Sequence, residues 1–312
     1  MGGACTVSVV IPTYNRKHLL GRAIESVLSQ TFRDFELLVV DDASTDGTGD
    51  LIGSYDDERI RYFRHETNRG TSAARNTGLA NSNGDYISFL DSDDEWHRSK
   101  LEMQVSWLEE ASPEAVATYC DVVRMREGAI KQLGERLFPE NVGHEGGENL
   151  VGAILGMEVA VHPGSTLLYK RETAEDLFFD EELEILEDID FLIQLLLRGE
   201  LIHVDEELVT QYETGYPSLR AITESRNRFL TKYAAEIEAF EHDGWAIRSI
   251  HEFYLAKAYL REGRFPEGIV RLSRSSVPDA RQFSGLVWSL LVGTMSSLRT
   301  TLTHLSTDAP IR

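Results

Sequence analysis

Four acidic side chains follow a short apolar segment in the stretch YISFLDSDDEW, residues 86–96. They are Asp91, Asp93, Asp94 and Glu95, all within five positions. Carboxylates packed this closely repel one another, and each buried charge without compensation costs on the order of several kcal/mol. Oxygen-rich groups of this kind are the ligands that Mg²⁺ and Mn²⁺ accept. The cluster therefore raises two questions: which positive charge compensates these carboxylates, and which secondary-structure elements position them.

Two further polar clusters end apolar segments earlier in the chain. Thr13, Tyr14 and Asn15 follow VSVVIP, and Asp41 and Asp42 follow ELLVV. In a parallel, doubly wound sheet, ligands bind beyond the carboxyl ends of the strands. The three clusters are therefore predicted to line one pocket. None of the three loops contains GxGxxG or GxxxxGK[ST], which argues against a dinucleotide site or a P-loop.

Short apolar segments alternate with helical ones in the first part of the chain. The pattern predicts the order β-α-β-α-β-α-β over the first 96 residues. Beyond them it predicts helices over 99–110 and 186–198, strands over 114–125 and 201–204, and an all-helical part from about 222. We therefore predict an α/β fold: a doubly wound, mostly parallel central sheet flanked by helices, with a C-terminal helical extension.

The chain is strongly acidic, with a net charge of −21 from 52 acidic and 31 basic residues, and only six of the basic residues are lysine. This composition is what we expect of a protein from a halophilic organism, because the Debye length shrinks to about 3 Å at 1 M salt and self-repulsion is screened. An ordinary acidic enzyme is the alternative. Either way, nucleic-acid binding is disfavoured, since it requires a basic surface.

Cysteine content and hydropathy suggest the cellular setting. Cys5 and Cys120 are far apart and form no CxxC motif, so neither a disulfide framework nor a zinc site is indicated. The sequence has no signal-type segment and no uninterrupted apolar stretch of about 18 residues. We therefore expect a cytoplasmic protein.

Four segments resemble, in order, the motifs of the family 2 glycosyltransferases, which have the GT-A fold. They are VSVVIPTYNR (7–16), SVLSQTFRDFELLVVDDASTDGT (26–48), NRGTSAARNTGLANSNGDYISFLDSDDEW (68–96) and LEDIDF (186–191). The resemblance implies a catalytic domain over 1–220, with a nucleotide-binding half at 1–96 and an acceptor half at 97–220, and a helical region at 221–312. The apolar segment 279–305 is expected either to pack on the catalytic domain or to lie in a membrane interface.

The resemblance implies a divalent cation, Mn²⁺ or Mg²⁺, at the acid cluster. A nucleotide-sugar donor releases a diphosphate, and a cation stabilises the charge that develops there. Asp91-Ser92-Asp93 corresponds to the DxD motif of the family. Asp93 is the implied first ligand. Asp91 is directed to the ribose or to a water on the metal and also belongs to the implied metal site, and Ser92 borders the donor. Asp94 shares either role, because the DSDD register is ambiguous by one residue.

The resemblance places the nucleotide at the ends of the first two strands. Pro12, Thr13 and Tyr14 border the base, and stacking on Tyr14 is worth about 1–3 kcal/mol. Asp42 accepts a hydrogen bond from a ring N–H, so UDP-, GDP- and dTDP-sugars all fit. Arg75 donates to the base or the phosphates. The alternatives are a Tyr that packs at a strand end and a surface Arg on a helix.

By the same resemblance, LEDIDF supplies the general base. Asp188 takes the proton of the acceptor hydroxyl, Glu187 orients the acceptor or the base, and Asp190 is the fallback. The N-terminus of a helix favours an ionised carboxylate. The implied reaction is an inverting, metal-dependent sugar transfer in the assembly of surface glycans or glycoproteins. The implied acceptor is a saccharide or a polyprenyl-phosphate-linked molecule, with peripheral membrane association.

Three other interpretations compete with this one. A non-catalytic nucleotide-sugar-binding or scaffold protein retains the fold, and loss of the DxD motif or of the base would favour it. A nucleotidyltransferase needs a Gly-rich basic loop near the first strand, which PTYNRKHLLGR lacks. The stretch from Asp42 begins like an EF-hand loop, but position 12 is Gly53 instead of Glu.

Overall fold

A computed structural model of the chain describes residues 6–125, 144–157, 159, 161–212, 215–276, 286, 289–290 and 292–294. The predicted loop over 126–150 lies outside the described residues up to 143, and the predicted helix over 279–305 lies largely outside them. The described residues form two compact units. The first contains residues up to 154 and 159–216, and the second contains 155–157 and the residues from 217 onward.

Within the described part of the first unit, eight strands form one sheet. They are β1 Val7–Thr13, β2 Phe35–Asp41, β3 Ile60–Arg64, β4 Tyr86–Phe89, β5 Glu95–Trp96, β6 Ala115–Met125, β7 Leu168–Lys170 and β8 Glu200–Tyr212, in the spatial order β3-β2-β1-β4-β7-β6-β8-β5. Neighbours are parallel except at β4–β7, β7–β6 and β8–β5. The predicted doubly wound, mostly parallel sheet is confirmed. The antiparallel strands β5 and β7 are too short for their periodicity to show in the sequence.

Helices flank the sheet and complete the first unit. They are α1 Lys17–Leu28, α2 Thr48–Ile52, α3 Thr71–Asn81, α4 Lys100–Glu110, α5 Glu148–Leu155, α6 Pro163–Thr166 and α7 Glu187–Leu196. In α1 the apolar side chains recur at helical spacing and are buried: Leu20, Ala23, Ile24 and Val27. β1 and β2 are buried at every position, as expected for parallel strands covered on both faces. Burial of each large aliphatic side chain stabilises the fold by about 1.5–3 kcal/mol.

The close approach of α3 to β1 depends on a glycine. A Cβ atom at Gly78 would lie 2.3 Å from Cγ1 of Val10, well inside van der Waals contact. The helix lies directly on the central strand only because this residue has no side chain. Arg75 is one turn earlier on the same helix, so this packing places its side chain near the carboxyl ends of the strands.

The described residues of the second unit are helical, as predicted. The helices are α8 Leu219–Lys232, α9 Ala234–His242, α10 Ile247–Arg261 and α11 Phe265–Leu272. A buried polar pair joins two of them: Arg226 contacts Nδ1 of His251 at 2.9 Å, and Nε2 of His251 lies 2.8 Å from the Leu155 carbonyl oxygen. Burial, assisted by Arg226, lowers the pKa of His251 to about 3. In the part of the chain that the structure describes, every helix is too short or too polar to span a membrane.

Candidate active site

Three neighbouring strands end where the sequence places its polar clusters. β1 ends at Thr13, β2 ends at Asp41, and Asp91 follows β4 after one residue. The order β2-β1-β4 makes these ends adjacent, and the chain reverses its direction across the sheet between β1 and β4. Such a switch point is where doubly wound sheets bind ligands. The candidate site therefore lies at this edge of the sheet.

Asp42 is buried and accepts several hydrogen bonds. Its carboxylate lies 2.7 Å from Nδ1 of His65, 2.7 Å from the Gly70 amide N and 2.9 Å from the Arg69 amide N. Asp41, one residue earlier, accepts from the Tyr62 hydroxyl at 2.7 Å. Asp42 therefore holds the backbone that leads into α3, and Asp41 holds a side chain of β3. The base-binding role of Asp42 stays a prediction.

Two residues at the end of β1 offer groups that fit a ligand. The Thr13 hydroxyl is buried and has no hydrogen-bond partner in the structure. Tyr14 beside it is 46% exposed. Buried polar atoms are normally satisfied, so an unsatisfied hydroxyl beside an exposed ring fits a ligand that has both a flat face and a polar group.

Backbone strain accompanies three of the predicted site residues. Asn15, Ala43 and Leu186 have φ values of 51°, 69° and 67°, in the left-handed region that non-glycine residues seldom adopt. They follow Tyr14, follow Asp42 and precede Glu187, respectively. Such strain costs about 1–3 kcal/mol per residue and clusters at functional sites. The strained residues therefore lie in the same three loops that contain the predicted site residues.

Arg75 is the centre of the site and not a surface residue. It is 2% exposed, and its guanidinium donates to Asp91 Oδ1 and to Glu187 Oε1, both at 2.8 Å. Burial works against its charge, but Asp91, Glu187 and Asp188 outweigh burial and raise the pKa of Arg75 above its ordinary value. We call these four residues the arginine cluster. The alternative of an Arg on the helix surface is wrong.

The carboxylates of Glu187 and Asp188, at the start of α7, are partly buried beside Arg75. Burial raises the pKa of Glu187 to about 7, and Arg75 opposes this change. Burial also raises the pKa of Asp188, against the pull of Arg75. We expected the helix N-terminus to favour the ionised form of Asp188, and here burial outweighs it. The fallback residue Asp190 accepts a hydrogen bond from Gln194 at 2.9 Å.

The acid loop, Asp91–Asp94, turns its carboxylates in different directions. Asp91 contacts Arg75, and Asp93 forms an ion pair with Arg16. Asp94 is buried, and its two oxygens accept from the Ser165 hydroxyl at 2.6 Å and the Tyr212 amide at 3.1 Å. Burial, together with the charge of Asp91, raises the pKa of Asp94 to about 8.

The donor set at this loop fits a hard divalent cation. It consists of carboxylate oxygens, the ligands of Mg²⁺ and Mn²⁺, and these carboxylates outnumber the buried guanidinium. The side chain of Asp91 is 35% exposed and that of Asp93 is 14% exposed, whereas Asp94 is 2% exposed. Ser92 is buried as well. Burial favours Asp91 and Asp93 as ligands, and the role of Asp94 as a ligand stays a prediction.

A second group with metal-ligand chemistry escaped the sequence analysis. Single ligand atoms of Asp121, His203 and Asp205 all lie within 4.8 Å of one another, beside an open cleft of about 540 Å³. No sequence spacing marks the group, because the pairing of β6 with β8 assembles it. His203 Nε2 lies 3.0 Å from Asp121 Oδ1, and the ring packs on Tyr119 at 4.8 Å. These contacts account for the partly buried side chains of Asp121 and His203 without an ion.

Comparison with known proteins places the first three motifs in a family, and LEDIDF (186–191) lies beyond the matched residues. The family model described as glycosyl transferase family 2 matches residues 8–178, more than half of the chain. A glucosyltransferase of Escherichia coli, UDP-Glc:alpha-D-GlcNAc-diphosphoundecaprenol beta-1,3-glucosyltransferase WfgD, is 45% identical over 102 residues, which are 33% of this chain and 40% of that protein. An uncharacterized glycosyltransferase of Rickettsia felis is 51% identical over 105 residues, 33% of this chain and 17% of that protein. The chain thus spans less than half the length of these relatives.

Solved structures share the fold. TarS of S. aureus, residues 1–349 in complex with UDP-GlcNAc, has a TM-score of 0.58 at 19% identity, covering 95% of this chain and 92% of that one. The mannosyltransferase PcManGT of Pyrobaculum calidifontis, in complex with GDP-Man and Mn²⁺, has a TM-score of 0.57 at 20% identity, covering 97% and 86%. The predicted GT-A fold is confirmed.

Proposed function

Because the chain belongs to glycosyltransferase family 2, we propose that it transfers a sugar from a nucleotide-sugar donor to a hydroxyl group of an acceptor. One observation carries the proposal: buried Arg75 donates at 2.8 Å both to Asp91 of the acid loop and to Glu187 at the start of α7. Arg75 thereby connects the acid loop, which is implied to bind the donor, with the start of α7, which is implied to supply the base, in one hydrogen-bond network. A scaffold that only binds nucleotide sugars has no need of the base.

The donor we propose is a UDP- or GDP-sugar. Similar structures are complexes with UDP-GlcNAc and with GDP-Man, and the relative WfgD is named for UDP-Glc. The unsatisfied Thr13 hydroxyl and the exposed Tyr14 ring supply the polar contact and the stacking face for the nucleoside. Asp42, at the end of β2, is the proposed acceptor for the ring N–H.

Asp91 and Asp93 are the proposed ligands of the divalent cation, Mn²⁺ or Mg²⁺. When bound, the cation stabilises the negative charge of the departing diphosphate. Arg75 holds one oxygen of Asp91. The same carboxylate therefore has a fixed orientation before any ligand arrives, which limits the reorganisation that binding requires.

Asp188 is the proposed general base. The acceptor hydroxyl gives its proton to the Asp188 carboxylate, the oxygen attacks the anomeric carbon opposite the leaving diphosphate, and the configuration inverts. Burial raises the pKa of Asp188, and a base works best when its pKa approaches the operating pH. Glu187 is a positioning residue in this scheme, because Arg75 fixes its carboxylate.

The proposed acceptor is a saccharide carried on a polyprenyl-phosphate lipid, with a soluble saccharide as the second candidate. The observation that favours the lipid is the name of the relative WfgD, which includes a diphosphoundecaprenol-linked GlcNAc. Such an acceptor would place the enzyme at the cytoplasmic face of a membrane as a peripheral protein. The acidic composition suits concentrated salt, so assays belong at both low and high KCl.

Hydrolysis and binding assays with UDP-Glc, UDP-GlcNAc and GDP-Man, with and without Mn²⁺, test the proposal. We expect binding and slow hydrolysis of at least one donor in the presence of Mn²⁺, and faster release of the nucleoside diphosphate, with transfer of the sugar, when a lipid-linked saccharide is added. Retention of activity above about 1 M KCl would support the halophilic interpretation. Absence of nucleotide binding under all conditions would contradict the proposed function.

A further inference from the structure

Ser165 of the short helix α6 forms hydrogen bonds with the acid loop. The Ser165 hydroxyl accepts from the Asp91 amide at 3.1 Å and donates to Asp94 Oδ2 at 2.6 Å. The Ser165 carbonyl oxygen accepts from the indole N–H of Trp96 at 2.8 Å. The residue is 2% exposed, so none of these groups is satisfied by solvent instead. Ser165 therefore holds Asp91, Asp94 and Trp96 in place, although it lies about seventy positions later in the chain.

Gly164, the preceding residue, makes close contact with the other side of the same loop. A Cβ atom at this position would lie 2.7 Å from Asp91 Oδ2 and 3.1 Å from Nη2 of Arg75. The Asp91 carboxylate and the Arg75 guanidinium occupy the space that a side chain would need. The backbone of α6 thus limits where Asp91 can point.

We propose that Ser165 and Gly164 are positioning residues that set the register of the acid loop. Ser165 turns Asp94 inward, and Gly164 leaves room for the Asp91 carboxylate beside Arg75. Asp91 and Asp93 then remain as the carboxylates that meet the cation and the diphosphate. This inference rests on the proposed function, and it resolves the one-residue ambiguity of DSDD in favour of Asp91 and Asp93.

Two variants disturb the register by different routes. Ser165→Ala removes the bond to Asp94 and the acceptor for the Asp91 amide. Gly164→Ala leaves the Ser165 hydroxyl in place and displaces the side chain of Asp91 or Arg75. Ser165→Thr retains the hydroxyl and serves as the rescue variant. Ser82→Ala is the matched control, because the buried Ser82 hydroxyl donates at 2.8 Å to the Gly78 carbonyl in α3.

Calorimetric titration of Mn²⁺ and UDP gives a readout that does not require turnover. We expect Ser165→Ala and Gly164→Ala to weaken Mn²⁺-dependent UDP binding about tenfold, the lower end of the range for residues that orient metal ligands. Binding of uridine, which lacks the diphosphate, is expected to change less than twofold. Ser165→Thr and Ser82→Ala are expected to bind like the wild type, and thermal melting checks that each variant folds.

The outcomes separate the two proposals. If the wild type binds neither UDP nor GDP with Mn²⁺, the proposed function fails and the register proposal falls with it. If the wild type binds and folded Ser165→Ala and Gly164→Ala bind equally well, the register proposal alone is overturned. Equal loss in Ser82→Ala, or equal loss of uridine and UDP binding, also overturns it, because a general effect on folding would then explain the data.

Discussion

The two sides of the candidate site neutralise their carboxylates in different ways. On the nucleotide side, at the ends of β1 and β2, Asp41 and Asp42 accept hydrogen bonds from backbone amides, a phenol and an imidazole. In the arginine cluster, three carboxylates share one buried guanidinium. The first side has donors enough for its oxygens. The second retains an excess of negative charge.

This difference separates a preformed region from one that awaits a ligand. Asp41 and Asp42 are held mainly by neutral donors, with Arg64 Nε 3.8 Å from Asp41, and this arrangement does not depend on a bound ligand. In the arginine cluster three carboxylates face one guanidinium. Burial raises the pKa values of two of these carboxylates, Glu187 and Asp188. A divalent cation would relieve that excess. Under the proposed function, recognition of the base and stabilisation of the diphosphate would therefore depend on different electrostatics at the same edge of the sheet.

Asp188→Asn breaks the chemistry of the arginine cluster and leaves the nucleotide side intact. We expect transfer to fall by about 10²–10⁴, the usual contribution of a general base, with unchanged donor binding. Initial rates and titration of the donor measure the two effects. Asp190→Asn is the control. Loss of transfer in Asp190→Asn with retention in Asp188→Asn would move the base to the fallback residue.

Arg75→Met removes the only positive charge named in the cluster. Its buried carboxylates then lack compensation, and we expect the free energy of unfolding to fall by about 3–5 kcal/mol. Urea unfolding measures the change. Arg198→Met is the matched control, because Arg198 pairs with the exposed Asp176 and such pairs contribute at most about 1 kcal/mol. Equal losses in the two variants would mean that Arg75 does not stabilise the carboxylates of the arginine cluster.

The pH dependence of the free energy of unfolding tests the electrostatics of the arginine cluster through Glu187. Because burial raises its pKa from 4.5 to about 7, ionised Glu187 destabilises the fold above pH 7, and this cost disappears as the pH falls toward 4.5. Glu187→Gln should therefore remove about 1–3 kcal/mol of pH dependence between pH 4.5 and 7.5. Urea unfolding at several pH values tests this. The exposed Glu109→Gln should leave the profile unchanged, and an unchanged profile in both would refute the raised pKa.

Asp42→Asn tests the nucleotide side and is expected to have the smallest effect. One oxygen remains to accept from the Arg69 and Gly70 amides, while the new NH₂ group faces donors. We expect a loss of about 1–2 kcal/mol in the free energy of unfolding. Mn²⁺ dependence should not change, because the cation belongs to the other side. A change in the Mn²⁺ requirement would show that the two sides are not electrostatically separate.

Local patterns predicted the strands and the loops of the site. The apolar segments and their polar ends located β1, β2 and β4, and the acids after them fell at adjacent strand ends. The alternation with helices was sufficient for the parallel order. These features depend on neighbours in the sequence, which is why spacing reveals them.

Partners across the sheet were beyond the sequence. Arg75 and Glu187 are 112 positions apart, and nothing in their local spacing indicates that they meet. Ser165 gave no signal either, because a serine in a short helix has many ordinary roles. The alternative of Arg75 as a surface residue could not be dismissed from the sequence for the same reason: burial is a property of the packing of α3 and not of its charge pattern.

Pro12 has a consequence for the opening of the site. The Val10 carbonyl accepts from the Leu90 amide on the β4 side, and the Thr13 carbonyl accepts from the Asp42 amide on the β2 side. The backbone N–H and C=O groups of alternate residues in a strand point to opposite neighbouring strands. The backbone of Pro12 therefore points to the side of β4, beyond the last residue of that strand. A proline has no N–H to offer there. The hydrogen-bonded pairing of β1 with β4 therefore lacks a donor at residue 12, which favours the end of this pairing at Val10 and Leu90, directly before the polar residues of the candidate site.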